Sequence, residues 1–166
     1  NYEISLRDNN TNLKIRDTKE ARENLEEIKA RKAEIIDYLL AVEAEKEAAK
    51  EEREEKIASI EGLNELQKAI EAEETYRYEL NNRFEDESLS SLPVSPPKTT
   101  AKDVAKKYPK AAAYVKAESW THTSNYVKAA AGEKAVERII NGDDHEQVLK
   151  DMEAEWSAYC DKHVWD

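Results

Sequence analysis

Apolar and polar residues alternate at period two near the start of the chain: Tyr2, Ile4 and Leu6 against Glu3, Ser5 and Arg7, then Leu13 and Ile15. Between them Asp8, Asn9, Asn10, Thr11 and Asn12 all tolerate turn geometry, so residues 1–16 predict a short β-hairpin. A two-stranded ribbon is marginal alone, and this one needs a helix or a symmetry mate to pack on.

The period then changes. Asp17 followed by Glu20 has the spacing of a capping box, and good helix formers come after it. Leu25, Ile28, Ile35, Leu39 and Val42 recur at three- and four-residue steps, interrupted by Lys32, which is the spacing of a coiled-coil seam. Over 43–56 the seam fades into alanines among Glu, Lys and Arg, with Glu52 and Lys56 at the i,i+4 spacing of a supporting pair. Gly62, with Asn64 and Gln67 as a second cap, places a helix break at about 61–64. Leu63, Leu66, Ile70, Arg77, Leu80 and Phe84 form a second seam to about Glu87. Residues 17–88 therefore predict a long coiled-coil helical hairpin.

Pro93, Pro96 and Pro97 among serines and threonines stop any helix, so 89–100 is expected to be a semi-rigid Ser/Pro linker. Four short helices follow. Thr100 with Asp103 opens the first, and Tyr108 with Pro109 ends it and starts the next, which carries Ala112, Tyr114, Val115 and Trp120. Tyr126, Val127, Ala130, Ala131, Ala135, Val136, Ile139 and Ile140 make a broad stripe, with Gly132 marking a close helix approach. Asn141 and Gly142 stop that helix, and Asp143 with Glu146 caps a last one bearing Val148, Leu149, Met152, Trp156 and Tyr159. The whole predicts a mainly α protein: hairpin 1–16, acidic arm 17–88, linker 89–100 and helical bundle 101–166.

Charge sharpens this division. The 166 residues hold 37 acids and 26 bases, a net −11. Residues 17–88 carry 23 acids against 12 bases, while 89–166 carry 12 against 11. Nearly all the excess is therefore the arm's. Three glycines and one phenylalanine argue against a glycine-rich nucleotide fold or a β-sandwich. The one cysteine, Cys160, excludes an intrachain disulfide framework and a multi-cysteine zinc site. No apolar run is long enough to span a membrane, and no basic-then-apolar segment opens the sequence, so the expected location is the cytoplasm.

Candidate chemistry is thin. Cys160 and His163 have the i,i+3 spacing of a nucleophile and base but lack an orienting third group. His145 sits among Asp143, Asp144 and Glu146, whose side chains fan around a helix start instead of converging on an ion. No catalytic residue, metal or cofactor is expected. The stretch 119–125 gathers hydroxyls, an imidazole, an amide and an indole, the residue types that also stop and start helices. With the lysines before it, it offers a secondary site: Lys106, Lys107, Lys110, Lys116, Trp120, His122 and Asn125. Lysines interleaved with aromatics suit backbone contact and base stacking; they suit equally an apolar core solvated by lysines, or docking on the protein's own acids.

The glutamate clusters Glu51, Glu52, Glu54 and Glu55, and Glu71, Glu73 and Glu74, approach the charge density of DNA locally. The expected function is a non-enzymatic binding protein, an inhibitor or adaptor, whose acidic arm engages a basic partner surface. A sharper version is a phage or mobile-element anti-defence inhibitor of a nucleic-acid-binding enzyme. The alternatives are nucleic-acid binding through 98–138 and a structural coiled-coil oligomer. A homodimer would form through Leu25, Ile28, Ile35, Leu39 and Val42.

Overall fold

A computed structural model describes residues 4–7, 12–16, 18–85 and 95–163. The protein is mainly helical with one N-terminal hairpin. In chain order the elements are β1 (Ile4–Arg7), β2 (Asn12–Ile15), α1 (Lys19–Glu23), α2 (Leu25–Ala30), α3 (Lys32–Ala58), α4 (Leu63–Glu85), α5 (Ala101–Lys107), α6 (Pro109–Thr121), α7 (Tyr126–Ile140) and α8 (His145–Lys162). Among the described residues no helix is long and apolar enough to cross a membrane. Contact density divides the chain into two units, Asn1–Glu54 and Glu55–Asp166.

In the first unit the strands pair antiparallel, Ile4 opposite Ile15 and Leu6 opposite Leu13. The alternation places those four side chains, all half-buried, on one face, and leaves Ser5 and Lys14 exposed. Asn12, expected in the turn, is instead the first residue of β2; the rest of that turn lies outside the described residues. The helical segment starts one residue later than expected. Thr18, not Asp17, is the cap, its hydroxyl accepting the Ala21 N–H at 3.1 Å. Asp17 itself lies outside the described residues.

One straight seam from Leu25 to Val42 does not form. The helix bends at Asn24 (φ −100°, ψ 11°) and at Arg31 (φ −103°, ψ 17°), although i→i−4 bonds continue through both. At Asn24 the side-chain amide donates to the Glu20 carbonyl at 2.7 Å, a local bond that competes with regular helix. Ile28 is buried (5% exposed), Leu25 is 38% exposed, and α3 buries none of its residues.

The second unit holds one contiguous core. Leu63, Leu66 and Ala69 of α4 pack with Val104 of α5, Tyr114 and Ala117 of α6, Val136 and Ile139 of α7, and Val148 and Met152 of α8. The helix α4, expected as the second limb of the arm, thus shares its interior with the bundle. Its far half is less buried: Ile70 and Leu80 are half-buried and Arg77 is exposed, while the Phe84 side chain lies outside the described residues. The N-terminal cap expected at Asn64 is absent, because α4 already begins at Leu63 after Gly62. Gly62 has φ +76°, and a Cβ there would collide with the Tyr108 ring, so glycine is needed both for the turn and for the aromatic lid over it.

The bundle follows the expected punctuation closely. Thr100 accepts the Asp103 N–H and returns its hydroxyl to the Asp103 carboxylate at 2.7 Å. Tyr108 links α5 to α6, with Pro109 in the first turn. Gly132 lets α7 approach α6: an added Cβ would lie 2.8 Å from Trp120 Cβ and 2.9 Å from the Ala117 carbonyl. Two details differ. Asp144, not Asp143, caps α8, accepting the Glu146 N–H at 3.0 Å. Tyr126, expected on the α7 stripe, is 76% exposed.

The two turn glycines separate backbone strain from packing. Gly142 has φ +94° with nothing within 4 Å, so Gly142→Ala should lose only about 1–2 kcal/mol to backbone strain. Gly62→Ala adds overlap with Tyr108 and should lose a further 1–3 kcal/mol or so. Urea melts of the two variants check this; equal losses would mean that Tyr108 yields freely.

Candidate functional site

Residues 43–55 of α3 form thirteen consecutive exposed positions, and with Lys56 they hold seven acids against four bases. Alanine, Glu, Lys and Arg favour helix by propensity, and Lys50 with Glu54 and Glu52 with Lys56 have the i,i+4 spacing that supports it. Glu51, Glu52, Glu54 and Glu55 all lie on it. At a rise of ~1.5 Å per residue, seven carboxylates fall within ~21 Å of axis, one per ~3 Å.

The second cluster divides. Glu71 and Glu74 are exposed on α4. Glu73 is half-buried and its carboxylate accepts the Ala101 N–H at 2.8 Å, capping α5 from outside that helix. This ties it to the positive end of α5 and takes it away from any foreign surface. Nothing in the local sequence of Glu73 signals this, since its partner lies 28 residues away.

The lysine and aromatic residues of the secondary site are distributed, not convergent. Lys107 lies 4.6 Å above the Tyr108 ring and 3.5 Å from the Glu65 carboxylate of α4. Lys116 pairs with Glu153. Asn125 is the α7 cap, its side-chain oxygen accepting the Val127 and Lys128 N–H groups at 3.0 and 3.2 Å. His122 is the exposed C-cap of α6, and Lys106 and Lys110 are on α5 and α6. Of the seven, only Trp120 enters a cluster.

That cluster joins Trp120 to Lys128 of α7 and to Trp156, Tyr159 and His163 on α8 and at its C-cap. Lys116 with Glu153 and Trp120 with Trp156 run α6 and α8 in the same direction, while Lys134 with Glu155 and Arg138 with Asp151 set α7 antiparallel to α8. The end of α6, the start of α7 and the end of α8 consequently meet. There Trp120 and Trp156 stand edge to face at 6.5 Å, Trp156 stacks on Tyr159 at 5.5 Å, and Tyr159 stacks on His163 at 4.2 Å. The Lys128 ammonium lies 4.8 Å from the Trp120 centroid and 5.8 Å from that of Trp156. The i,i+3,i+7 spacing of Trp156, Tyr159 and His163 was the available signal.

These contacts also engage the groups that a catalytic or metal reading would need. His163 Nδ1 donates to the Tyr159 carbonyl at 2.8 Å, so its ring is engaged by Tyr159, and Cys160 is half-buried. Asp143 accepts from Arg138 at 2.8 Å, and Asp144 serves as a cap. Among the described residues no group of three or more His, Cys, Asp or Glu side chains is gathered as a metal ion would require.

Arg138 is the hub of the α7–α8 junction, donating to Asp143 at 2.8 Å and to Asp151 at 2.7 Å. Hydrogen bonds from Arg138, then from Gln147, hold the Asp151 carboxyl below its ordinary value. A carboxyl lowered in the folded state adds stability above its unfolded value and loses it as pH falls through the folded one. Stability should therefore decline on acidification below about pH 4, and Asp151→Asn should make that decline shallower in urea melts between pH 5 and 3. Identical slopes would remove the Arg138–Asp151 pair from the acid response.

Compared with family models, curated proteins and solved structures, the chain matches none.

Proposed function

We propose that the protein is a non-enzymatic binding protein whose α3 engages a basic surface of a partner protein. The observation that carries this reading is the run 43–55: thirteen successive helical residues, all exposed, in a helix that buries nothing. A helix polar on every side either bridges two bodies in solvent or presents its charge to something. Carboxylates already arrayed on a formed helix need little further ordering on binding, which lowers the entropic cost of association. The sharper form is inhibition of a nucleic-acid-binding enzyme by occupation of its basic groove, as a phage or mobile-element anti-defence protein would do; the local charge density supports it. A cytoplasmic setting belongs to the same reading.

The alternative, nucleic-acid binding through 98–138, draws support from the indoles beside Lys128. Against it, several cations of that block are matched by the unit's own acids: Lys107 by Glu65, Lys116 by Glu153, Lys134 by Glu155, and Arg138 by Asp143 and Asp151.

The partner is found by affinity capture from the native cell with the full chain, and the interaction is then tested by charge. Reversing Glu51, Glu52, Glu54 and Glu55 to Lys should weaken binding by at least about 100-fold and reduce its salt dependence. Reversing Glu71 and Glu74 tests the smaller cluster in the same way. Unchanged affinity in the four-site variant would dismiss the acidic helix as the binding surface.

A further inference from the structure

The first unit contains an anomaly that the acidic-helix reading does not use. Residues 35–42 read Ile35, Ile36, Asp37, Tyr38, Leu39, Leu40, Ala41, Val42, so seven of eight side chains are apolar. At 100° per residue they surround the helix, and a helix apolar on all sides belongs in a protein interior. Here none of the eight is buried, and Tyr38 is 68% exposed. Within the same unit, among the described residues, only Ala21 and Ile28 are buried apolar side chains, which is too little core for some 50 residues to be stable alone.

We infer that this face is the crossing point of a homodimer, the occupant being the same segment of a second copy. Charge selects that occupant. Residues 24–42 hold four acids and three bases, so two copies meet here with almost no repulsion. The adjoining stretch 43–56 has an excess of three acids and opposes side-by-side alignment of two α3 helices along their length. A basic protein would be drawn to 43–56 instead, leaving 35–42 unused. Local ion pairs neutralise the flank: Lys29 with Glu26 at 2.8 Å, and Arg31 with Glu34 at 2.9 Å.

The geometry is specific. Leu39 has Ile35 and Ile36 one turn before it and Val42 one turn after, the arrangement of a knob whose neighbours form a groove. A two-fold axis near Leu39 sets each Leu39 beside its counterpart and buries both Tyr38 rings. The helices cross and diverge, carrying the acidic stretches apart. Lys32, the one cation at a seam position, does not obstruct this, because its ammonium is drawn aside to the Asn12 side-chain oxygen of the hairpin at 2.7 Å.

The proposal goes beyond partner binding and is tested without any partner. Light scattering and sedimentation on the full chain should show a monomer–dimer equilibrium, with the dimer dominant by about 100 µM and a melting temperature that rises with concentration. Leu39→Glu should weaken dimerisation at least about 100-fold while the far-ultraviolet circular dichroism of the monomer is kept. In a Cys160→Ser background, Leu39→Cys should form an intermolecular disulfide with itself on mild oxidation, whereas Ala48→Cys should not. A wild-type chain that stays monomeric across this range overturns the proposal and leaves the face to a different protein. A dimer insensitive to Leu39→Glu, or equal cross-linking at positions 39 and 48, overturns the proposed crossing point.

Discussion

The constraint on which the rest depends is where apolar side chains find cover. From Ile57 onward they find it: Ile60, Leu63 and Leu66 enter one interior with Tyr114, Ile139, Val148 and Met152, and Gly62 admits the Tyr108 ring over the turn that starts α4. Before that point, among the described residues, only Ala21 and Ile28 do. The helix α3 buries none of its residues, and its two halves answer this differently, one by being charged throughout and the other by remaining apolar and half-open. The two proposals rest on this difference: a second copy against the first half of α3, and a basic partner against the second.

Electrostatics follows the same division. In the second unit charge is matched locally, mostly between facing helices: Lys107 with Glu65, Lys116 with Glu153, Lys134 with Glu155, and Arg138 with two aspartates. Each exposed pair adds little stability, and their spacing records the direction in which the helices run. Over 43–56 seven acids stand against four bases, and every residue of 43–55 is exposed.

Much of this was legible in the sequence because helix ends are written locally. Thr100 with Asp103, Tyr108 with Pro109, Gly132 and the period-two hairpin all mark features found where expected. Errors of one residue at caps, Thr18 for Asp17 and Asp144 for Asp143, arise because adjacent hydroxyl or carboxylate residues satisfy the same rule. What was not legible depended on distance along the chain. The association of α4 with the bundle rests on a stripe whose spacing serves a coiled coil equally well. The capping of α5 by Glu73 and the gathering of Trp120, Lys128, Trp156 and Tyr159 need the helix directions, which no local pattern encodes. The bends at Asn24 and Arg31 interrupt an otherwise regular heptad pattern, and that pattern gives no warning of them.

The central claim is that the acidic stretch of α3 is helical without cover, whereas α4, beyond the turn at Gly62, is held by the core of the second unit. Amide hydrogen exchange on the dilute, partner-free chain tests it most directly. Residues 43–56 should exchange at least about 100-fold faster than 63–70, 131–140 and 148–152, because only local opening protects them. Equal protection along the whole of α3 and α4 would contradict the account, since it would require cover for the acidic helix from within the chain itself.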